Sequence, residues 1–429
     1  MATILRLHPP SSEDARRWTI GVLVSSDCRR LAATVVACDG RGLDLEPEIA
    51  DGMTAEVPAD SAAFFSQLAE PGTRPAAFDA AQALAALRAS LAELQAQVVN
   101  ALLAQAAIPP ARILALGVHD PGLWSGRAGG PVSYLGLCDA ARLAELTGLN
   151  VVDAFPARDV AVGGQGGPLT PLAQWLLLKD PLLNRLLVDL GRTTRATYLP
   201  RGADAHGDPQ VLSFDVGPGM RLVDLLVQRL TNGEEAFDPG GRYAVQGRRA
   251  QELIDHWLAD PYFRRPLPRW NPSGVRPERY LLEALQMAVE KGWSVRDLLC
   301  TATHFVAESV GLAVHRRMPE NVAVDQIILT GGGRHNGMLL RELGGVLPGV
   351  PLVPIEEAGI ESEALEPACV ALMALFYLDQ VPASRPEVTG AEMCRVLGQL
   401  TPGSPQSWQR LAAELGESRP AIRPLRSAL

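Results

Sequence analysis

One run of signals occurs twice in this chain, and that repetition constrains the fold more than any other feature. Residues 18–24 read as a strand, 25–30 as a polar turn and 31–38 as a second strand. Far downstream, residues 186–190, a turn at 191–194 and residues 196–199 repeat the hairpin, with Arg192 and Arg195 in or beside its turn. After the first hairpin, Leu84, Leu87, Leu91, Leu94, Val98 and Leu102 recur at helical spacing within 78–107, and Pro109 and Pro110 end that helix. A strand at 113–118, a helix at 139–146 closed by Gly148 and a strand edge at 150–153 complete a β-β-α-β-α-β order. The second hairpin leads to a strand at 212–215, a helix at 220–230 and a long helical stretch at 280–316. A strand at 324–329, a helix opened by Thr330-Gly331-Gly332-Gly333 and running to 347, and an apolar helix at 367–380 follow. Two hairpin-led α/β units in tandem predict a duplicated α/β fold with a cleft between its halves.

Composition removes other classes. At 429 residues two cores are expected, and 47% apolar residues exclude disorder as the main state. The charge, 39 basic minus 48 acidic or −9, argues against nucleic acid or anionic membrane as partner. The longest apolar run, 367–378, is too short to cross a bilayer, and 1–17 shows no secretory apolar region. Cys28, Cys38, Cys138, Cys300, Cys369 and Cys394 lie far apart with no metal-ligand spacing. Buried thiols in a reducing compartment follow, and the expected location is cytoplasmic with no bound metal site.

No Walker A, GxSxG, HExxH or EF-hand pattern occurs. Three glycine-rich turns remain: Gly163-Gly164-Gln165-Gly166-Gly167-Pro168, Asp215-Val216-Gly217-Pro218-Gly219 and Gly331-Gly332-Gly333-Arg334-His335-Asn336. Each suits a phosphate or sugar cradle, where backbone N–H groups converge at a helix start, or is simply a tight strand-to-helix turn. Asp215 ends an apolar strand, the place of a general base entering a cleft or of a helix cap. Glu366 precedes Pro367 and reads as a first-turn acid of the last apolar helix.

Taken together, these segments resemble the anhydro-N-acetylmuramic acid kinases of the sugar kinase, heat-shock and actin superfamily, over residues 18–400. Residues 158–169 are similar to the family's RRDVAxGGQGAPL, Phe214 to Gly219 to its FDxGPGN, Thr330 to Asn336 to its xGGGxxN, and Val388-Thr389-Gly390-Ala391 to its VTGA. The resemblance implies two tandem ribonuclease-H-like domains: 18–185, with the helix near 367–400 packing back on it, and 186–366 on the nucleotide side, with 1–17 and 401–429 as extensions. It implies ATP with Mg²⁺ as cofactors, a small amino sugar as partner and a homodimer. In the family, water opens a 1,6-anhydro ring and the ATP γ-phosphate passes to the freed oxygen 6. By resemblance Asp215 activates that water and Glu366 helps hold it. Arg158 pairs with the sugar's carboxylate, Gln165 and His119 line the sugar site, and Gly331, Gly332, Gly333, Asn336, Gly217, Gly219 and Gly191 cradle the nucleotide.

The departures concern phosphate. The family's GxMSGTSxDGxD loop is replaced by Gly21 to Ala32, which carries Asp27, Arg29 and Arg30 and lacks the loop glycines. Its NIGG becomes Asp189-Leu190-Gly191-Arg192, and its HGQT becomes His119-Asp120-Pro121-Gly122. An acid beside a triphosphate repels it unless a cation offsets the charge, a role open to Arg29 and Arg30. The implied activity is a kinase with altered phosphate handling. The alternative is an inactive relative that binds a sugar or protein in the old cleft and needs no cofactor.

Overall fold

Both hairpins form, and each seeds a sheet with the same strand order. The computed structural model describes residues 16–69, 77–125, 132–202, 209–270, 276–318 and 323–417. The first portion runs β1 (Arg17–Val24), β2 (Arg30–Asp39), β3 (Glu46–Glu56), α1 (Ala59–Ala69), α2 (Ala77–Gln105), β4 (Ile113–His119), β5 (Leu123–Ser125), β6 (Ser133–Leu135), α3 (Ala140–Thr147), β7 (Val151–Asp153), α4 (Phe155–Val160) and α5 (Pro171–Leu178). The second runs β8 (Arg185–Leu190), β9 (Thr194–Leu199), β10 (Leu212–Gly217), α6 (Gly219–Leu230), α7 (Gln251–Leu258), α8 (Pro277–Lys291), α9 (Val295–Arg317), β11 (Gln326–Thr330), α10 (Gly337–Val346) and β12 (Leu352–Pro354). Then come α11 (Ser362–Leu378), α12 (Pro386–Thr389), β13 (Gln399–Thr401) and α13 (Pro405–Glu417).

The first sheet has the order β13-β7-β4-β1-β2-β3 and the second β10-β9-β8-β11-β12. Counted within each unit, and apart from β13, both read third-second-first-fourth-fifth. In both, the second strand is antiparallel to its neighbours while the first, fourth and fifth are parallel. The duplicated α/β fold expected from the two hairpins is present, in the ribonuclease-H-like arrangement that the family resemblance implies.

Four layers of apolar packing hold it. Ile20, Val22, Leu116 and Val118 of the first sheet meet Leu91, Val99 and Leu102 of α2 on one face. On the other, α5 and α11 lie between the sheets, with Leu172, Leu176, Leu372 and Phe376 packed with Leu187, Leu199 and Ile328 of the second sheet. The far face of that sheet is covered by α9 and α10, and α6, α7 and α8 build a helical layer around Trp257 and Phe305. By length and composition α9 could cross a membrane, but 72% of that window is buried inside the protein, as in a core helix.

Three of the differences from the sequence reading have a clear physical cause. Strand β3 was not expected: its charges Glu46, Glu48, Asp51 and Glu56 hide the apolar alternation, as suits an edge strand protected from further pairing. The long stretch at 280–316 divides at Gly292, which takes a left-handed φ of 71°, and Ser294 with Asp297 forms a capping box that starts α9. Helix α11 begins at Ser362, so Pro367 lies inside it and Glu366 stands in its second turn, correcting the first-turn assignment.

The seating of α11 is set by two glycines. A Cβ on Gly21 of β1 would run into the Pro367 carbonyl oxygen, and one on Gly117 of β4 into that of Val370. Behind α11, Arg17 of β1 donates two bonds, 2.8 and 2.7 Å, to the buried Asp379 carboxylate. Beyond residue 400, β13 pairs with β7, and Asn150 donates to Ser407 of α13, which fastens this segment to the first sheet. Gly117→Ala is expected to destabilise the protein by about 1–3 kcal/mol through overpacking. Gly344→Ala, on the exposed face of α10 with no atom within 4 Å of the added methyl, should stabilise it by about 0.5–1 kcal/mol. Thermal unfolding of the two variants checks both signs.

Candidate active site

The charged centre of the cleft follows from strand register. Asp189 of β8 stands directly opposite Arg195 of β9, and Arg195 opposite Asp215 of β10; Thr330 of β11 extends the row beyond Asp189. Directly opposed residues project to the same face. Lower on that face lie Leu187, Leu199 and Ile328 of the inter-sheet core, so it changes from apolar to charged where the two sheets part. The Arg195 Nε donates to Asp215 Oδ1 at 3.2 Å.

Asp215 is fixed at its backbone as well. Its N–H donates to the Arg269 carbonyl at 2.9 Å, and its own carbonyl accepts from Arg269 Nε at 2.8 Å and Tyr262 Oη at 3.3 Å. The α6 N-cap is Pro218 with no side-chain cap, so Asp215 does not serve as one. From α11, Glu366 accepts from Gln174 Nε2 at 2.7 Å and Thr170 Oγ1 at 3.3 Å. Helix α11 starts beside the third glycine turn, where Ser362 Oγ is 2.7 Å from Thr330 Oγ1, and crosses to the first sheet, carrying Glu366 past the charged row.

Burial works against the charge on Arg195, but the carboxylates of Asp215, Glu366 and Asp189 outweigh it and raise its pKa. Burial also pushes Asp189 up to about 6, while Arg195 resists and Glu366 adds to the rise. His119, at the end of β4, is lowered chiefly by burial, against the raising pull of Asp120 and Glu366. His119, Glu366, Arg195, Asp189 and Asp215 thus share one electrostatic environment drawn from both sheets. Among the described residues no group of three or more His, Cys, Asp or Glu side chains is placed to hold a metal ion.

The glycines expected at the nucleotide pack chiefly against the second hairpin and its neighbours. A Cβ on Gly219, at φ 56°, would lie 2.6 Å from the Gly191 carbonyl oxygen, and the Met220 N–H donates to that oxygen at 2.9 Å. Gly331 is close against Asp189 and Gly191, and Gly333 against Leu190. Gly217 is in ordinary contact with Phe263, whereas Gly332 is exposed with nothing within 4 Å of an added Cβ. Asn336 caps α10 through Leu339 N at 3.0 Å and leaves its buried Nδ2 without a partner among the described residues.

On the first-sheet side, Arg158 is exposed on α4. Gln165 is engaged at both ends of its amide: Oε1 accepts from Trp270 N at 2.9 Å and Nε2 donates to the Pro268 carbonyl at 3.3 Å. Its loop is wound around Asp159, whose carboxylate accepts from Gly166 N (2.8 Å), Ser384 Oγ (2.6 Å) and Thr389 Oγ1 (2.6 Å). That joins two motifs distant in sequence. Asp120 accepts from the N–H groups of Gly122, Leu137 and Cys138, so it braces its own loop.

The first hairpin's turn is closed on itself. Ser25 Oγ accepts from the N–H groups of Arg29 and Arg30 and donates to Asp27 Oδ1, and Cys28 takes a φ of 55° that glycine would adopt without steric cost. The cation paired with Asp27 is Arg192 at the tip of the second hairpin, 3.3 Å away and as exposed as Arg29 and Arg30.

Sequence reasoning placed Asp215 and Glu366 but not Asp189, Arg195 or Asp159 as site residues. Counting outward from Arg192 at the turn already sets Asp189 opposite Arg195. Because Asp189 binds its proton more tightly in the folded chain, stability falls as pH rises from its ordinary value of 3.8 through about 6. Asp189→Asn removes that loss, so its melting temperature relative to wild type should rise across the same interval in a pH series.

The family model for anhydro-N-acetylmuramic acid kinase matches residues 63–403, starting beyond the first hairpin. The anhydro-N-acetylmuramic acid kinase of Acaryochloris marina is 32% identical over 383 residues, 89% of this chain and 98% of its own. That of Salinibacter ruber is 31% identical over 415 residues, 94% of this chain and 100% of its own. Among solved structures, gluconate kinase from Lactobacillus acidophilus aligns over 94% of this chain and 97% of its own, at 9% identity and a TM-score of 0.43. With near full-length relatives above 30% identity and a family match over most of its residues, the chain belongs to the anhydro-N-acetylmuramic acid kinase family.

Proposed function

We propose that this protein is an ATP-dependent kinase acting on anhydro-N-acetylmuramic acid. The observation that carries the reading is Asp215, buried at the cleft end of β10, braced through its peptide by Arg269 and Tyr262 and standing near Glu366 of α11. A carboxylate so held is a general base. It takes a proton from water, the water oxygen bonds to the anomeric carbon, and the bond from that carbon to the bridging oxygen breaks. The freed oxygen 6 then takes the γ-phosphoryl group and ADP leaves. Glu366, tied to Gln174 and Thr170, helps hold the water.

The open turn at Gly332 and the orphaned Asn336 Nδ2 fit a nucleotide on the second sheet. A divalent cation, which would shield the phosphate charge, would be held chiefly by the phosphates themselves, since among the described residues no group of three or more acidic, histidine or cysteine side chains is placed to bind one. The first hairpin's N–H groups at Arg29 and Arg30 are already bonded, so phosphate handling falls mainly to the second hairpin and the third glycine turn. In this reading 18–185, with the segment near 367–400, forms the sugar-side domain and 186–366 the nucleotide-side domain. The exposed Arg158 is available to the sugar's carboxylate, for which a planar fork of donors suits. Gln165 and His119 border the same region.

With ATP, Mg²⁺ and anhydro-N-acetylmuramic acid, the protein is expected to yield ADP and a phosphorylated, ring-opened sugar. Asp215→Asn should lower kcat by roughly 10²–10⁴-fold. Mass spectrometry of the sugar product checks both, and an Asp215→Asn variant as fast as wild type would overturn the assignment.

A further inference from the structure

Three carboxylates from three elements act on the charge of one guanidinium, and one of them, Asp215, bonds it directly. Asp189 and Asp215 flank Arg195 across the strands, and Glu366 faces it from α11. We infer that Arg195 is a positioning residue for the reaction: its guanidinium fixes the orientation of the Asp215 carboxylate and places a positive charge among the acids of the cleft. The inference rests on the reading of Asp215 as the general base.

The described groups around Asp215 include Arg195 on β9, Asp189 on β8 and Glu366 on α11, with Tyr262, Arg265 and Arg269 from the segment after α7. Arg269 bonds the Asp215 peptide oxygen through Nε, while Arg195 Nε bonds the carboxylate itself. His119 lies near Glu366 and Arg195, but burial lowers its pKa, so it carries little positive charge at neutral pH. Remove Arg195, and mutual repulsion in a half-buried site drives one or more of these carboxylates to take up a proton. A protonated Asp215 cannot accept one from water. Orientation depends on arginine for a second reason. Its five N–H donors leave a rigid plane in different directions, so one bond can fix Asp215 while the rest of the group faces other acids; a lysine ammonium supplies the charge without the plane.

The test uses full-length Arg195→Met, Arg195→Lys, Asp215→Asn and the Arg195→Met/Asp215→Asn double variant. Arg195→Met should lose roughly a hundredfold in kcat with little change in the sugar KM, and the acid limb of its kcat/KM profile should move to higher pH. Arg195→Lys should restore the limb but not the full kcat. In melting experiments the deficit of Arg195→Met should be large at neutral pH and shrink toward about pH 5 as the unpaired acids take up protons. The double variant should recover part of it. Wild-type kcat and an unchanged profile in Arg195→Met, or a deficit that is the same at every pH, would overturn the inference. If wild-type protein phosphorylates no sugar, the proposed reaction fails, while the melting series still decides whether Arg195 balances these acids.

Discussion

Backbone lies against backbone where α11 crosses β1 and β4, and the site depends on that contact. Gly21 and Gly117 leave no side chain between helix and sheet, so α11 sits at a depth that any larger residue would change. The same helix starts beside the Thr330-Gly331 turn of the second sheet and faces that sheet's apolar patch. Its depth on one sheet therefore fixes where Glu366 stands relative to the other. Rigid seating suits catalysis because an acid displaced by about an ångström loses much of its effect.

Charge is handled by register. In the second sheet the row of Asp189, Arg195 and Asp215 alternates in sign across three adjacent strands, and sliding β9 by one residue would turn Arg195 to the opposite face. Two residues further down the strands, the Thr197 and Ser213 hydroxyls pair at 2.9 Å and Leu187 enters the apolar core. The change from charged to neutral to apolar over a few residues lets the sheets carry ionisable groups at the cleft while remaining joined below.

Much of the fold was legible because both hairpins pair apolar strands around short polar turns, and α2 shows unbroken helical spacing. Strand β3 was not, since an edge strand advertises charge rather than alternation. Pro367 misled for a physical reason: proline favours first helical turns, and only the close seating of α11 shows it inside the helix. Asp215 and Glu366 were visible through their motif positions. Arg192 as the partner of Asp27, and Asp159 as the hub joining residues 164–166 to Ser384 and Thr389, were not, because both contacts join parts of the chain more than a hundred residues apart.

The two sheets differ in how the chain builds them. The strands of the second come from one continuous stretch, Arg185 to Pro354, whereas the first needs β1 to β7, then α11, and finally β13 and α13. A chain leaving the ribosome N-terminus first can close the second sheet while the first still lacks the helix that covers its inner face. The Arg17–Asp379 pair, joining residues 362 positions apart, forms only then. Glu366 arrives with that closing step, so the complete set of cleft acids exists only once α11 has been made, and a product truncated before it would carry the glycine turns without the full charged centre.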